Sequence, residues 1–182
     1  MLQMLNSSIS IPSLIWLFLA AFMLHDFEEI ISIEPWFRRN GHALLRVVPA
    51  ALRPVVHSMS RVTTPQFAIA VCLEFVIFIP VTFMAAEHQS YFIFLGFNAV
   101  MLLHVFMHLG QALLVRKLVP GVVTAVAITL PYSLYLFYRL LHEGIASWHD
   151  IWNSVPYGLL LIPIVWLGHG LGRKLMPHPD TK

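Results

Sequence analysis

Residues 12–33 read PSLIWLFLAAFMLHDFEEIISI, an apolar run that carries His25, Asp26, Glu28 and Glu29 in its second half. A helix needs about 20 mainly apolar residues to cross the hydrocarbon core of a bilayer. This run is long enough, and so are Gln66–Ala85, Tyr91–Val115, Val119–Leu141 and Ile151–Gly172. Composition agrees: of 182 residues, 58% are hydrophobic and 11% charged, against about 25% charged in soluble domains. A soluble globule is excluded on that ground. A disordered chain is excluded by the hydrophobicity, and a disulfide scaffold by Cys72 being the single cysteine. The expected fold is all-α: one transmembrane helical domain over 1–182, a polytopic bundle of about five spans. The first run lacks a preceding Lys or Arg, so it reads as a retained helix rather than a signal peptide.

The basic residues set an orientation. Arg38, Arg39, Arg46, Arg53 and Arg61 lie between spans 1 and 2, Arg116 and Lys117 between spans 3 and 4, and Arg173, Lys174 and Lys182 after span 5. Only Arg139 falls on the other set of connections, which carries Glu87, Glu143 and Asp150. Positively charged connections stay in the cytoplasm. The N-terminus is therefore expected outside and the C-terminus in the cytoplasm. Between spans 1 and 2, Pro49 and Pro54 interrupt a segment of recurring arginines and aliphatic residues. Short interfacial helices on the cytoplasmic leaflet are expected there. Topology accounts for the cations, so membrane lipids rather than nucleic acid are the expected partners. Pro80, Pro131 and Pro163 lie inside spans 2, 4 and 5 and are read as packing kinks.

Charged groups near the centre of a membrane helix cost about 2.5–3.5 kcal/mol each, so those of span 1 must be paired, protonated or bound to a cation. At 100° per residue Glu28 and Glu29 flank His25 on one stripe, and Asp26 is rotated toward the rim. Span 3 places His104 and His108 four residues apart on one face, a spacing that lets two imidazoles hold one metal. Span 2 contributes Glu74, and Thr124 follows Pro120-Gly121 at the start of span 4. Counted from the cytoplasmic ends, all of these fall in the inner half of the membrane. His25, Glu28, Glu29, Glu74, His104 and His108 are thus the candidate ligands of a divalent transition metal, Zn, Fe or Mn. Glu28 and Glu29 are the candidate catalytic bases. His169 sits near the inner end of span 5, and His42, His57, His88, His142, His149 and His178 are expected to be solvated. Cys72 is expected to be reduced and dispensable.

His25-Asp26-Phe27-Glu28-Glu29 resembles the signature of the HXXEE membrane proteins, a largely bacterial group. Asn98-Ala99 followed by His104, and Pro120-Gly121-Val122-Val123-Thr124, resemble two further motifs of that group. The usual Asn-Ala-x-x-His spacing is not kept, since position 102 is Leu, and Leu118 stands where a tyrosine usually precedes Pro-Gly. The resemblance covers spans 1–4 and implies a bacterial inner-membrane protein without implying an activity. The residues leave several functions open. One is metal-dependent hydrolysis or oxidation of a lipid-like substrate. A second is proton- or metal-ion-coupled transport, for which five spans call for a homodimer. A haem-binding bundle with His25 and a span 3 histidine as axial ligands is a third, and a structural or interaction role for the polar cluster is the fourth.

Overall fold

The computed structural model describes residues 2–177, so Lys182 and His178 lie outside the described residues. Every regular element among them is helical. A short helix α1 (Leu2–Ser8) precedes α2 (Ile11–Val47), and α3 (Arg53–Met59) follows a single 3₁₀ turn. Then come α4 (Thr64–His88), α5 (Phe92–Val115), α6 (Val122–His142) and α7 (Trp148–Leu175). These last four are long and apolar enough to cross a membrane.

α2 reaches far beyond the expected end at Ile33. Its 37 residues make a rod of about 55 Å, longer than the hydrocarbon core of about 30 Å. Pro35 lies inside it and does not stop it. Proline removes one N–H, and the flanking turns hold the helix: Arg38 pairs with Glu34 at 2.6 Å, and Arg39 Nε donates to the Pro35 carbonyl at 3.1 Å. Only the stretch after Val47 is broken into short pieces as expected, with no buried residue in α3.

The prolines of α6 and α7 act locally. Before Pro131, residues Ala125–Thr129 widen into a π turn, and helix α7 is interrupted at Leu159–Leu160, just ahead of Pro163. Proline has no N–H to donate to the carbonyl four residues back, and its ring crowds that carbonyl, which here belongs to Ala127 and Leu159.

α2 packs against α4, α5 and α6, while the two halves of α7 cover α5 and α4 in turn. The buried stripe of α2 runs Leu14, Ile15, Phe18, Ala21, Phe22, His25, Asp26, a repeat of three and four that keeps one face inward. Phe18 and Phe22 meet Phe78 at ring-centroid distances of 5.0 and 4.6 Å, and Phe18 meets Phe94 at 5.5 Å. This aromatic layer fills the bundle on the N-terminal side of His25. Gly96 and Gly158 let α5 and the first half of α7 touch backbone to backbone, and Gly168 and Gly172 do the same for α7 against Ala70 and Gln66 of α4.

The two ends of the bundle differ in charge. At one end Lys117 Nζ donates to Asn40 Oδ1 (2.7 Å), Trp36 Nε1 to the Leu118 carbonyl (2.7 Å) and Gln66 Nε2 to the Met176 carbonyl (2.7 Å). The Thr64 backbone N–H donates to Glu34 Oε2 at 2.7 Å, and this bond and the Arg38 guanidinium hold the Glu34 carboxyl below its usual range. Every described Lys and Arg except Arg139 lies toward that end, on the last turns of α2 and α7, on α3, or on the loops beside them. At the other end Arg139 is buried and neutralised, with Nε on Glu143 Oε1 at 2.6 Å and NH1 on the Ile9 carbonyl at 3.0 Å. Trp16 Nε1 donates to Glu87 Oε1 nearby (3.1 Å).

Candidate functional site

Helix α6 cannot begin where it does without an acceptor. Its first N–H groups are unsatisfied by the helix itself, and Glu28 of α2 supplies the oxygens. The Thr124 N–H donates to Glu28 Oε2 at 2.7 Å, the Val123 N–H reaches Oε1 at 3.4 Å, and the Thr124 hydroxyl donates to Oε2 at 2.6 Å. A carboxylate at a helix N-terminus also meets the positive end of the helix dipole. The bend that delivers α6 to this place is Gly121, at φ +80°. A Cβ there would stand 2.8 Å from both Glu29 Oε1 and His108 Cε1. Glycine is required twice over, for the backbone angle and for the space.

The Thr124 hydroxyl has one proton. With that proton given to the Glu28 carboxylate, its oxygen accepts from His25 Nδ1, 3.2 Å away. This order assigns the His25 tautomer: Nδ1 carries hydrogen and Nε2 carries a lone pair. Nε2 is buried and has no protein hydrogen-bond partner. His25 itself is 1% exposed.

Around it stand Glu29, His104 and His108. His108 Nε2 lies 3.2 Å from Glu29 Oε1 and 2.8 Å from His104 Nε2. The His25 ring is edge-on to both imidazoles, with centroids 5.4 Å from His104 and 5.0 Å from His108. One donor atom from each of His25, Glu29, His104 and His108 lies within 4.8 Å of all the others. Neutral imidazole nitrogens and a carboxylate oxygen are the donor set of zinc, iron and manganese sites.

Of the six residues marked from sequence as metal candidates, the structure gathers these four and leaves two outside. Glu28 spends its carboxylate on the start of α6. Glu74, on α4, is within electrostatic range of Asp26 and Glu29 but is not in the four-residue group. Asp26, read from sequence as turned toward the rim, is instead 6% exposed, and its Oδ2 has no hydrogen-bond partner. The signal lay in the stripe: Asp26 follows Phe22 and Phe18 by four and eight residues, both core positions. His169 packs its ring on Phe67 at 5.5 Å and stays apart from the cluster. Cys72 is a free, exposed thiol.

These features define a helical protein with membrane-spanning helices and an internal His/Glu cluster built by α2, α5 and α6. Residues 16–136 match the family described as "Protein of unknown function with HXXEE motif", and the chain belongs to it. It is also similar to Uncharacterized protein YrkK of Bacillus subtilis (strain 168), 22% identical over 166 residues that cover 88% of this chain and 96% of that one. No solved structure matches the chain.

Proposed function

We propose that His25, Glu29, His104 and His108 bind one divalent transition metal ion, zinc, iron or manganese, inside the membrane. The observation that carries this reading is the pairing of His25: Nδ1 lies 3.2 Å from the Thr124 hydroxyl and the buried Nε2 has no protein partner. With Nδ1–H committed to Thr124, the Nε2 lone pair is left to a ligand. A metal-binding histidine characteristically anchors its other nitrogen in this way. Glu28 is then a positioning residue: it fixes Thr124, which fixes His25. Tetrahedral ligands at about 2.0–2.1 Å from a zinc ion lie about 3.4 Å apart. Two of the separations, 2.8 and 3.2 Å, are within that, and the ion of this proposal draws the widest, 4.8 Å, closer. A cation also answers the cost of holding Glu29 in a low-dielectric bundle.

Catalysis on a lipid-like substrate is the activity this reading supports, because the cluster lies among membrane helices. The accompanying orientation puts the Lys- and Arg-rich end in the cytoplasm and the Arg139–Glu143 end outside, in the inner membrane of a bacterium. Elemental analysis and an absorption spectrum of protein purified without chelator test the reading. About one equivalent of metal and no Soret band are expected; a metal-free protein that stays metal-free on titration overturns it.

A proton relay is the second reading, and one observation favours it. The 2.8 Å separation of the His104 and His108 nitrogens is that of a direct hydrogen bond. Buried oxygens without partners, Asn98 Oδ1, Thr129 Oγ1 and Ser133 Oγ, continue on α5 and α6 away from the cluster, and such atoms call for water. Metal-free protein whose proton flux depends on His104 and His108 is the outcome this reading expects.

A further inference from the structure

On the outer face of the α4–α7 pair lies an open groove of about 410 Å³, separate from the His/Glu cluster. Leu73, Trp166, Leu167, Gly170 and Leu171 make its apolar walls, and Arg173 and Lys174 stand at its basic end. We propose that this groove is a binding site for an anionic phospholipid, with an acyl chain along the apolar walls and the phosphate between Arg173 and Lys174.

Three features support that occupant. The first is charge. Among the described residues neither Arg173 nor Lys174 forms an ion pair, whereas Arg38 and Arg139 each hold a glutamate. Both follow directly on the apolar walls, so the cations sit where a headgroup sits when the chain lies in the groove. The second is Trp166, 71% exposed at the wall, an aromatic ring that favours contact with lipid near the interface. The third is the pattern of glycines on α7. Gly168 and Gly172 have no room for a side chain, because α4 is pressed against them, while a Cβ on Gly170 would meet nothing within 4 Å. Packing of the helix pair explains the first two. It does not explain Gly170, which weakens a helix interior and here keeps the floor of the groove open. The groove does not depend on the metal reading, and neither stands or falls with the other.

The test is native mass spectrometry of the full chain in detergent, with phosphatidylglycerol and phosphatidylcholine competing at equal concentration. One basic side chain at an anionic surface is worth about fivefold in affinity, so the wild type is expected to retain phosphatidylglycerol at least about fivefold over phosphatidylcholine. Arg173→Gln with Lys174→Gln removes the preference, and Arg116→Gln with Lys117→Gln, a charge-matched control on the α5–α6 loop outside the groove, leaves it. Gly170→Leu fills the floor at a position where a Cβ meets nothing within 4 Å and lowers retention of both lipids. The proposal is overturned by equal retention of the two lipids in the wild type. It is overturned equally if either groove variant retains lipid as the wild type does, or if the control loses the preference as well. A Gly170→Leu protein that changes from a dimeric to a monomeric mass, with lipid unaffected, assigns the groove to a second copy instead.

Discussion

Thr124 gives Glu28 both of its protons, from the backbone N–H at 2.7 Å and from the hydroxyl at 2.6 Å. Through this pair, two motifs that are 96 residues apart in the chain become one structure. The first motif ends a charged turn on α2, the second starts α6, and the His25 imidazole is oriented between them.

Thr124→Val keeps the shape of residue 124 and deletes the hydroxyl. The Glu28 carboxylate loses its shortest bond and His25 Nδ1 loses its acceptor. Lost caps and buried bonds cost about 1–2 kcal/mol. Thermal unfolding in detergent is expected to fall accordingly, with metal affinity weakened about 10–100-fold as for other ligand-orienting residues. Thr124→Ser restores both. An unchanged affinity in Thr124→Val removes Glu28 and Thr124 from any positioning role.

Gly121→Ala introduces a methyl at φ +80°, 2.8 Å from Glu29 Oε1 and from His108 Cε1. The backbone angle alone costs about 1–2 kcal/mol. The methyl also pushes apart the two groups that stand 3.2 Å apart in the cluster. Gly144 is at φ +68° with nothing within 4 Å of a Cβ, so Gly144→Ala carries the angular cost only. Gly121→Ala is expected to lose metal and stability together, and Gly144→Ala stability alone, as read by metal content and melting temperature.

How far the site was legible in the sequence follows from where its bonds run. His104 and His108 declare themselves by a spacing of four, and His25 and Glu29 by the same spacing on α2, because these relations lie within one helix. Glu28 did not, since its role depends on N–H groups of α6 that only the fold brings to it. Glu74 matched the cluster in depth, but depth does not fix which way a residue faces around α4. Asp26 turns toward the rim only if His25 centres the stripe; Phe18 and Phe22 before it centre the stripe between His25 and Asp26. The length of α2 beyond Ile33 is not legible from hydropathy, because the residues that continue it past Pro35 are polar: Glu34 pairs with Arg38, and Arg39 donates to the Pro35 carbonyl.

Acid is expected to loosen the basic end of the bundle. The carboxyl of Glu34 is held below its ordinary value of 4.5 by the Thr64 N–H and by Arg38. A group whose folded pKa is depressed contributes stability above its unfolded value and loses it as pH falls through the folded one. The tether between α2 and α4 is therefore fully present above about pH 4.5 and fades below it. The effect is small, since this is a surface pair. Melting curves from pH 6 to pH 3 should show a drop in the wild type that Glu34→Gln lacks; identical curves contradict the assignment.

The orientation is checked by reporter fusions. Fusions after Ala85 and after Gly144 are expected to report the outer side, and a fusion after Lys117 the cytoplasm. The buried Arg139, bonded to Glu143 and the Ile9 carbonyl, is the cation this topology has to explain. In the expected orientation its pairing would offset the cost of a cation on the outer side. A cytoplasmic signal after both Ala85 and Gly144 reverses the topology.

Metal binding by the His/Glu cluster is measured by calorimetric zinc titration of chelator-stripped protein, for the wild type, Glu29→Gln, His104→Ala and Glu74→Gln. One site per chain is expected in the wild type, with its loss in Glu29→Gln and in His104→Ala at unchanged helical content, and its retention in Glu74→Gln. No saturable binding in the wild type, or binding that survives removal of both Glu29 and His104, would contradict it.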